Sequence, residues 1–294
     1  YRQELTGVEG LPIVLRLKSL NKMEIESNVV YEHLLESEKK IIVEQGGTRS
    51  GKTYNILLWI IFSYCTNHRN KIITICRKTF PSLRATVMRD FFEILKKYSM
   101  YSEVLHNKSS SEYMLYNNLV EFISLDQPTK VRGRKRDLLF INESSELNFE
   151  DWQQLIFRTN GRIILDYNPS DEYSWIYDKV LSREDVDFFI TTYKDNLFLD
   201  KTIVKEIERL RETDMQYWQI YGLGQKAISK SIIFTYSESE VPEDATLISH
   251  GIDYGYTNDS TALVAVYKKD YSLYIKELLY RTMMTSQDIH KEFK

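Results

Sequence analysis

Gly46-Gly47-Thr48-Arg49-Ser50-Gly51-Lys52-Thr53 fits the pattern GxxxxGK[ST] and lies between two apolar stretches, residues 41–43 and 56–65. Glycines at these positions let backbone N–H groups converge on phosphate oxygens at the start of a helix. Lys52 is then placed for the β- and γ-phosphates of ATP, and Thr53 for the Mg²⁺ that accompanies them. A phosphate cradle alone does not cleave a phosphoanhydride; it needs a group that orients water, on the end of a neighbouring strand. Asp137-Leu138-Leu139-Phe140-Ile141-Asn142-Glu143 supplies an apolar strand with a polar end, and Glu143 reads as the general base. Asn142 stands where an aspartate is usual; its amide can hydrogen-bond metal-bound water but adds no negative charge.

Four weaker signals surround this pair. Lys130-Val131-Arg132-Gly133-Arg134-Lys135-Arg136 puts five cations in seven residues just before the strand. Most of them suit a solvated charge run, whereas Arg132, beside a glycine, is placed to act as an arginine finger or to contact a polyanion. Residues 69–89 carry six basic side chains and no acid: Arg69, Lys71, Arg77, Lys78, Arg84 and Arg89. These either face the phosphates of DNA or ATP, or lay their stems over a sheet face. Asp166-Tyr167-Asn168-Pro169 ends another apolar run, where Asn168 either senses the γ-phosphate through a water or forms a plain Asn-Pro turn. Gly251-Ile252-Asp253-Tyr254-Gly255 places a carboxylate mid-strand with Asp259 in the next turn. Aspartate is disfavoured in strands, so Asp253 is either a metal ligand or a structural residue near a turn.

The elements that must position these groups are legible as alternating patterns. Apolar runs of strand length at 41–43, 72–76, 138–141, 163–165 and 188–192 have helical stretches between them, which predicts an α/β fold with a mostly parallel sheet covered on both faces. A hairpin is expected from 113–116 and 119–125, turned at Asn117 and Asn118. Residues 82–98 read as a helix capped by Ser82, with Leu83, Val87, Phe91 and Leu95 on one face; residues 56–65 read as a buried helix. A second helical stretch, 201–221, ends before Gly222 and Gly224. Residues 1–27 show no motif. The first domain is expected to span 1–236, with a polar, acidic linker at 237–247. A second domain, 248–294, then begins with short alternating strands at 249–254, 261–267 and 272–279; about 50 residues close no independent α/β core, so it is expected to stop partway.

Composition narrows the classes. The 294 residues, 43% hydrophobic and 28% charged, are globular in make-up and long enough for one large or two ordinary domains. With 39 basic against 42 acidic residues, no global field draws the chain onto nucleic acid, so any such partner is met by a local patch. Cys65 and Cys76 have no CxxC spacing, which argues against a zinc site or a disulfide scaffold and for a reducing compartment. The apolar run at 56–65 is too short for a membrane span, no export signal opens the chain, and Tyr1 in place of Met suggests a trimmed sequence.

Taken in order, GGTRSGKT at 46–53, RGRKRDLLFINE at 132–143, LDYNPS at 165–170, TTYKDNLFLD at 191–200 and GIDYGYTNDSTAL at 251–263 resemble the large terminase subunit of tailed bacteriophages over roughly residues 28–294. The resemblance implies a P-loop ATPase of the ASCE/RecA-like kind followed by the start of an RNase H-like nuclease. It implies Walker A roles for Gly46, Gly47, Thr48, Arg49, Ser50, Gly51, Lys52 and Thr53, with Asn142 in Walker B and Glu143 as the catalytic carboxylate. Arg132 matches a trans-acting arginine finger, Arg49 an arginine proposed to act in cis, Asn168 the coupling motif, and Asp253 the first nuclease metal ligand.

The activity so implied is ATP hydrolysis driving double-stranded viral DNA into a procapsid, with endonuclease activity, through Mg²⁺ or Mn²⁺, only in a longer chain. The implied partners are double-stranded DNA, a portal protein, a small terminase subunit and further copies in a ring. The implied place is the host cytoplasm, transiently on the procapsid, with neither export nor membrane. Two rivals share the P-loop: a helicase or recombination-type ATPase, and a nucleotide-gated DNA clamp with little turnover.

Overall fold

Strands covered on both faces have no solvent-facing positions to alternate, which is why the central strands here read as unbroken apolar runs. The computed structural model describes residues 4–6, 13–17, 23–126, 135–170, 174–226, 237–255, 260–285 and 288–289. The chain divides into two compact units, 1–230 and 231–294.

The first unit opens with a small antiparallel sheet of β1 (Glu4–Thr6), β2 (Ile13–Leu17) and β3 (Met23–Ser27), where the sequence offers no motif. Asn28 caps α1 (Val29–Glu36), which leads to β4 (Ile41–Gly46), buried along its length. Next comes α2 (Lys52–Trp59), which continues through a wider turn at Ile60–Tyr64 into Cys65–Asn67, the expected buried helix. After β5 (Ile72–Arg77), helical turns at Phe80–Leu83 and Arg84–Met88 run into α3 (Arg89–Lys97). This helix starts two residues earlier than expected: Thr79 is the extended residue before it, Pro81 fits the first turn where its missing N–H costs nothing, and Ser82 lies inside. Leu83, Val87, Phe91 and Leu95 are all buried, as their spacing predicts.

β6 (His106–Asn107), β7 (Glu112–Leu115) and β8 (Asn118–Ser124) form antiparallel pairs. They are followed by β9 (Arg136–Ile141), α4 (Phe149–Ile156), β10 (Thr159–Tyr167), β11 (Val186–Thr191) and α5 (Lys201–Thr213). The helix expected over 201–221 breaks at Asp214, whose carboxylate accepts the Tyr217 N–H and caps a fresh turn; helical turns then run through Trp218–Gly222.

The large sheet has the order β11-β4-β10-β9-β5-β8-β7-β6, parallel from β11 to β8 and antiparallel beyond. Ile42, Ile73, Ile75, Leu138, Phe140 and Ile164 pack on one face with α1, α2 and α3. Ile41, Val43, Leu139, Ile141, Ile163 and Leu165 pack on the other with α4 and the turn Ile176–Val180. Both faces are therefore covered, as expected. One consequence of the order governs the site: β10 lies between β4, which leads into the glycine-rich loop, and β9, which is followed directly by Asn142 and Glu143.

The second unit holds an antiparallel sheet of β12 (Thr246–Asp253), β13 (Thr261–Lys269) and β14 (Ser272–Arg281), with Leu263, Ala265 and Leu279 buried. Asp253 closes β12 rather than lying mid-strand, and it is exposed. Cys65 and Cys76 are free and buried, and burial pushes both thiols up to about 12. No helix among the described residues is long and apolar enough to cross a membrane.

Candidate active site

The loop between β4 and α2 is shaped by its own backbone. Gly51 sits at φ +85°, a left-handed conformation that L side chains rarely adopt, and directly precedes the first turn of α2. Arg49 is also left-handed at φ 64°. The loop is held from outside as well: Gly47 N–H donates to Thr191 O at 3.0 Å and Thr48 N–H to Tyr221 O at 2.7 Å. Asn28, the cap of α1, donates through Nδ2 to Ser50 O at 2.9 Å and through its backbone N–H to Asn55 Oδ1 at 3.0 Å.

Lys52 is buried and folds back over the loop. Its Nζ donates to Gly46 O (3.1 Å), Gly47 O (3.0 Å), Ser50 Oγ (3.3 Å) and Asn168 Oδ1 (3.0 Å). Burial lowers its pKa, opposed first by Asp166 and then by Glu143 and Glu44. Thr53 Oγ1 donates to Asp166 Oδ2 at 2.5 Å. Asn142 Nδ2 donates to both Asp166 oxygens, at 3.0 and 3.2 Å, and lies 3.3 Å from Thr53 Oγ1; the Glu143 N–H donates to Asp166 Oδ1 at 2.8 Å.

Glu143 follows the last residues of β9 with a left-handed backbone, φ 52° and ψ 56°. A non-glycine residue held there costs on the order of 1 kcal/mol. Burial, and then the Asp166 carboxylate, raise Glu143 to about 7. Asp166 and Glu44 are likewise raised, burial being the main cause for each. His33 Nδ1 meets Glu44 Oε1 at 3.0 Å.

Lys52, Thr53, Glu143 and Asn168 border a cleft of about 450 Å³, lined by residues 47–54 with Arg89, Asp90, Glu93, Glu143, Asn168 and Asn196, and Asn142 and Asp166 lie buried behind it. The volume lies within the few hundred to 1,000 Å³ range of small-molecule pockets. Lys52, Thr53, Asn142, Glu143 and Asn168, each singled out from sequence, are thus brought together. Arg49 is exposed on the same cleft. Arg132 and the other basic residues at 130–134 lie outside the described residues, as does Asp259. Asp253 belongs to the second unit, and among the described residues no three His, Cys, Asp or Glu side chains gather as a metal site.

The basic stretch 69–89 does not form one face. Arg77 makes a bidentate pair with Glu146 at 3.0 and 2.6 Å, Lys78 pairs with Asp151 at 2.6 Å, Lys71 pairs with Asp137 at 3.1 Å, and Arg69 binds the carbonyls of Cys65, Thr66 and His68. Only Arg89, of these six, borders the cleft. Arg136, read as part of a solvated run, is instead buried, and its guanidinium nitrogens have no hydrogen-bond partner among the described residues.

Sequence reading missed Asp166, Asn28 and Asn196. Asn28 carried a signal, a capping residue before an apolar helix. Asn196, whose Nδ2 donates to Arg49 O at 2.8 Å, carried only its place in the TTYKDN segment. Asp166 was visible as a carboxylate closing an apolar run, but its weight depends on strand order.

Residues 38–225 match the family described as phage terminase large subunit. The chain is 23% identical over 288 aligned residues to the PBSX phage terminase large subunit of Bacillus subtilis strain 168, covering 85% of this chain and 66%, just under two thirds, of that relative. Among solved structures it is similar to the large terminase of a thermophilic bacteriophage, at 18% identity and TM-score 0.58 over 90% of this chain and 72% of that one. That thermophilic phage protein is also known in complexes with ADP and with ATP-γ-S. The ATPase domain of the Thermus phage P74-26 large terminase matches at 14% identity and TM-score 0.53, over 67% of this chain and 93% of that one. With its sheet, its glycine-rich loop and this family match over residues 38–225, the chain belongs to the phage terminase large subunit family.

Proposed function

We propose that this chain hydrolyses ATP at the 46–53 loop and that hydrolysis drives double-stranded viral DNA into a procapsid. The observation that carries the reading is the convergence of Lys52, Thr53, Glu143 and Asn168 at one cleft, at the carboxyl edge of a parallel sheet where such folds bind ligands. The ADP and ATP-γ-S complexes of the thermophilic phage relative support a nucleotide as occupant.

Lys52 exchanges its bonds to Gly46 O and Gly47 O for β- and γ-phosphate oxygens. Glu143 takes the proton of the attacking water as its oxygen bonds to the γ-phosphorus, and the electron pair of the breaking bond leaves on the β-phosphate oxygen of ADP. Bound Mg²⁺ would be held at Thr53 with the phosphates, and would neutralise charge on their oxygens. The residues suit such an ion: Thr53 Oγ1 gives its proton to Asp166 and accepts one bond from Asn142 Nδ2, which leaves it a lone pair. Asn168 bonds Lys52 before the γ-phosphate arrives, so competition for that ammonium supports a coupling role for Asn168.

The finer assignments are proposals of the same kind: 1–236 as motor, 237–247 as linker and 248–294 as part of an RNase H-like nuclease, with Arg49 acting in cis and Arg132 in trans. Portal protein, small terminase subunit and a ring of copies are the proposed partners, in the host cytoplasm and transiently on the procapsid. Endonuclease activity with Mg²⁺ or Mn²⁺ is assigned to a longer chain, with Asp253 as first ligand. The test is ATP turnover with and without duplex DNA, alongside a strand-separation assay. DNA-stimulated hydrolysis without unwinding is expected; unwinding would favour a helicase, and tight nucleotide binding without turnover a clamp.

A further inference from the structure

Asn142 leaves a charge missing at the place where a metal-bearing nucleotide site needs one, and the strand order offers a replacement. β10 inserts between β4 and β9, and on it Asp166 pairs in register with Glu44 of β4. Asp166 is buried, yet every donor around its carboxylate converges on it. Thr53 Oγ1 donates to Oδ2 at 2.5 Å, the Glu143 N–H to Oδ1 at 2.8 Å, and Asn142 Nδ2 to both oxygens at 3.0 and 3.2 Å.

We propose that Asp166 is the carboxylate that serves the nucleotide's divalent cation, holding the Thr53 hydroxyl for it from the neighbouring strand, while Asn142 is one of several donors to Asp166 and does not substitute for it. This rests on the ATP-site reading given above.

Two physical points support the assignment. Thr53 Oγ1, which gives its proton to Asp166 and accepts one bond from Asn142 Nδ2, keeps a lone pair for a metal, and such partners behind a ligand orient it and raise its basicity. Mg²⁺ in nucleotide sites uses few carboxylates beside phosphates and water, and Asp166 is the buried carboxylate that touches Thr53. The amide nitrogen of Asn142 is spent as a donor to Asp166 and Thr53; its oxygen is neutral and has no hydrogen-bond partner among the described residues. Asp166 therefore acts as a positioning residue, and its effect belongs on metal-dependent affinity rather than on the cradle that grips the phosphates.

The experiment measures the affinity of a fluorescent ATP analogue in Mg²⁺ and in EDTA for the wild type, Asp166→Asn, Asn142→Ala and the exchanged pair Asn142→Asp/Asp166→Asn, each checked for folding by thermal melting. Asp166→Asn is expected to lose at least tenfold of the Mg²⁺-dependent gain while its EDTA affinity stays within about threefold of wild type. Asn142→Ala should keep most of the gain, and the exchanged pair should recover part of it. The assignment is overturned if folded Asp166→Asn keeps the full gain, or if Asn142→Ala loses as much as Asp166→Asn. Should Asp166→Asn fail to fold, Asn142→Ala decides alone: a retained gain supports Asp166, and a lost gain assigns the cation to Asn142. Wild type that binds no nucleotide in either condition would instead refute the ATP site, and this assignment with it.

Discussion

Glu143 shows how a single carboxylate can be tuned by its place. The same burial and Asp166 neighbour that raise it to about 7 make it a base matched to neutral pH, because a stronger proton affinity helps only while the group is still ionised. A plot of kcat/KM for ATP against pH should therefore rise with an apparent pKa near 7, and a profile flat from pH 5.5 to 8 would remove Glu143 as the base. Stability follows the opposite slope. The folded value lies above the ordinary 4.5, so the unfolded chain loses this proton first. The penalty is absent below 4.5, grows through the interval and is complete above about 7. Glu143→Gln should then be more stable than wild type at pH 8, on the order of 1 kcal/mol by denaturant unfolding, and equal to it near pH 4.5. Lys52 is the complementary case. Its four partners are oxygens of the loop and of Asn168, so Lys52→Ala should melt within a few degrees of wild type yet lose at least about 100-fold in ATP turnover, because charge compensation for the phosphates is gone. Near-normal turnover in that folded variant would discard the loop assignment.

At the scale of elements, the loop and the turn after Trp218–Gly222 approach each other backbone to backbone. Gly224 sits at φ +63°, and a Cβ there would lie 2.6 Å from both Gly46 Cα and Gly47 N. Neither backbone atom can move without shifting the phosphate cradle. Gly224→Ala should cost about 2–3 kcal/mol from strain and overpacking and weaken nucleotide binding at least tenfold; denaturant unfolding with an ADP titration checks both. The elements around this contact were readable because both sheet faces are covered: runs at 41–43, 72–76, 138–141 and 163–165 each became a parallel strand. The hairpin shows where local reading slips. Tyr116 and Asn117, at φ 50° and 62°, make the turn, whereas Asn118 belongs to β8 and donates to the carbonyls of Cys65 and His68. Two adjacent asparagines look like the better turn, and only the end of the preceding helix explains why one is buried. Asp166 was hidden for a larger reason. A lone carboxylate at the end of an apolar strand gains meaning only from β10 lying between β4 and β9, and strand order is set by tertiary packing that no local pattern encodes. The three strands at 4–27 are short and carry no turn signal strong enough to reveal them.

For the whole molecule, the residues on the cleft describe one ATP site that draws on a single unit, and the proposed ring adds a finger from a neighbour. Lys52→Ala subunits mixed with Arg132→Ala subunits should recover part of the wild-type turnover, since a mixed interface joins an intact loop to an intact arginine. A mixture shown to co-assemble but inactive at every ratio would exclude action in trans. The central claim is narrower: water attacks ATP at this cleft under Glu143. Single-turnover ATP hydrolysis by Glu143→Gln, at nucleotide concentrations shown to saturate it, tests that claim most directly. The account predicts retained binding with hydrolysis slowed at least about 100-fold; saturated Glu143→Gln that hydrolyses within threefold of wild type would contradict it.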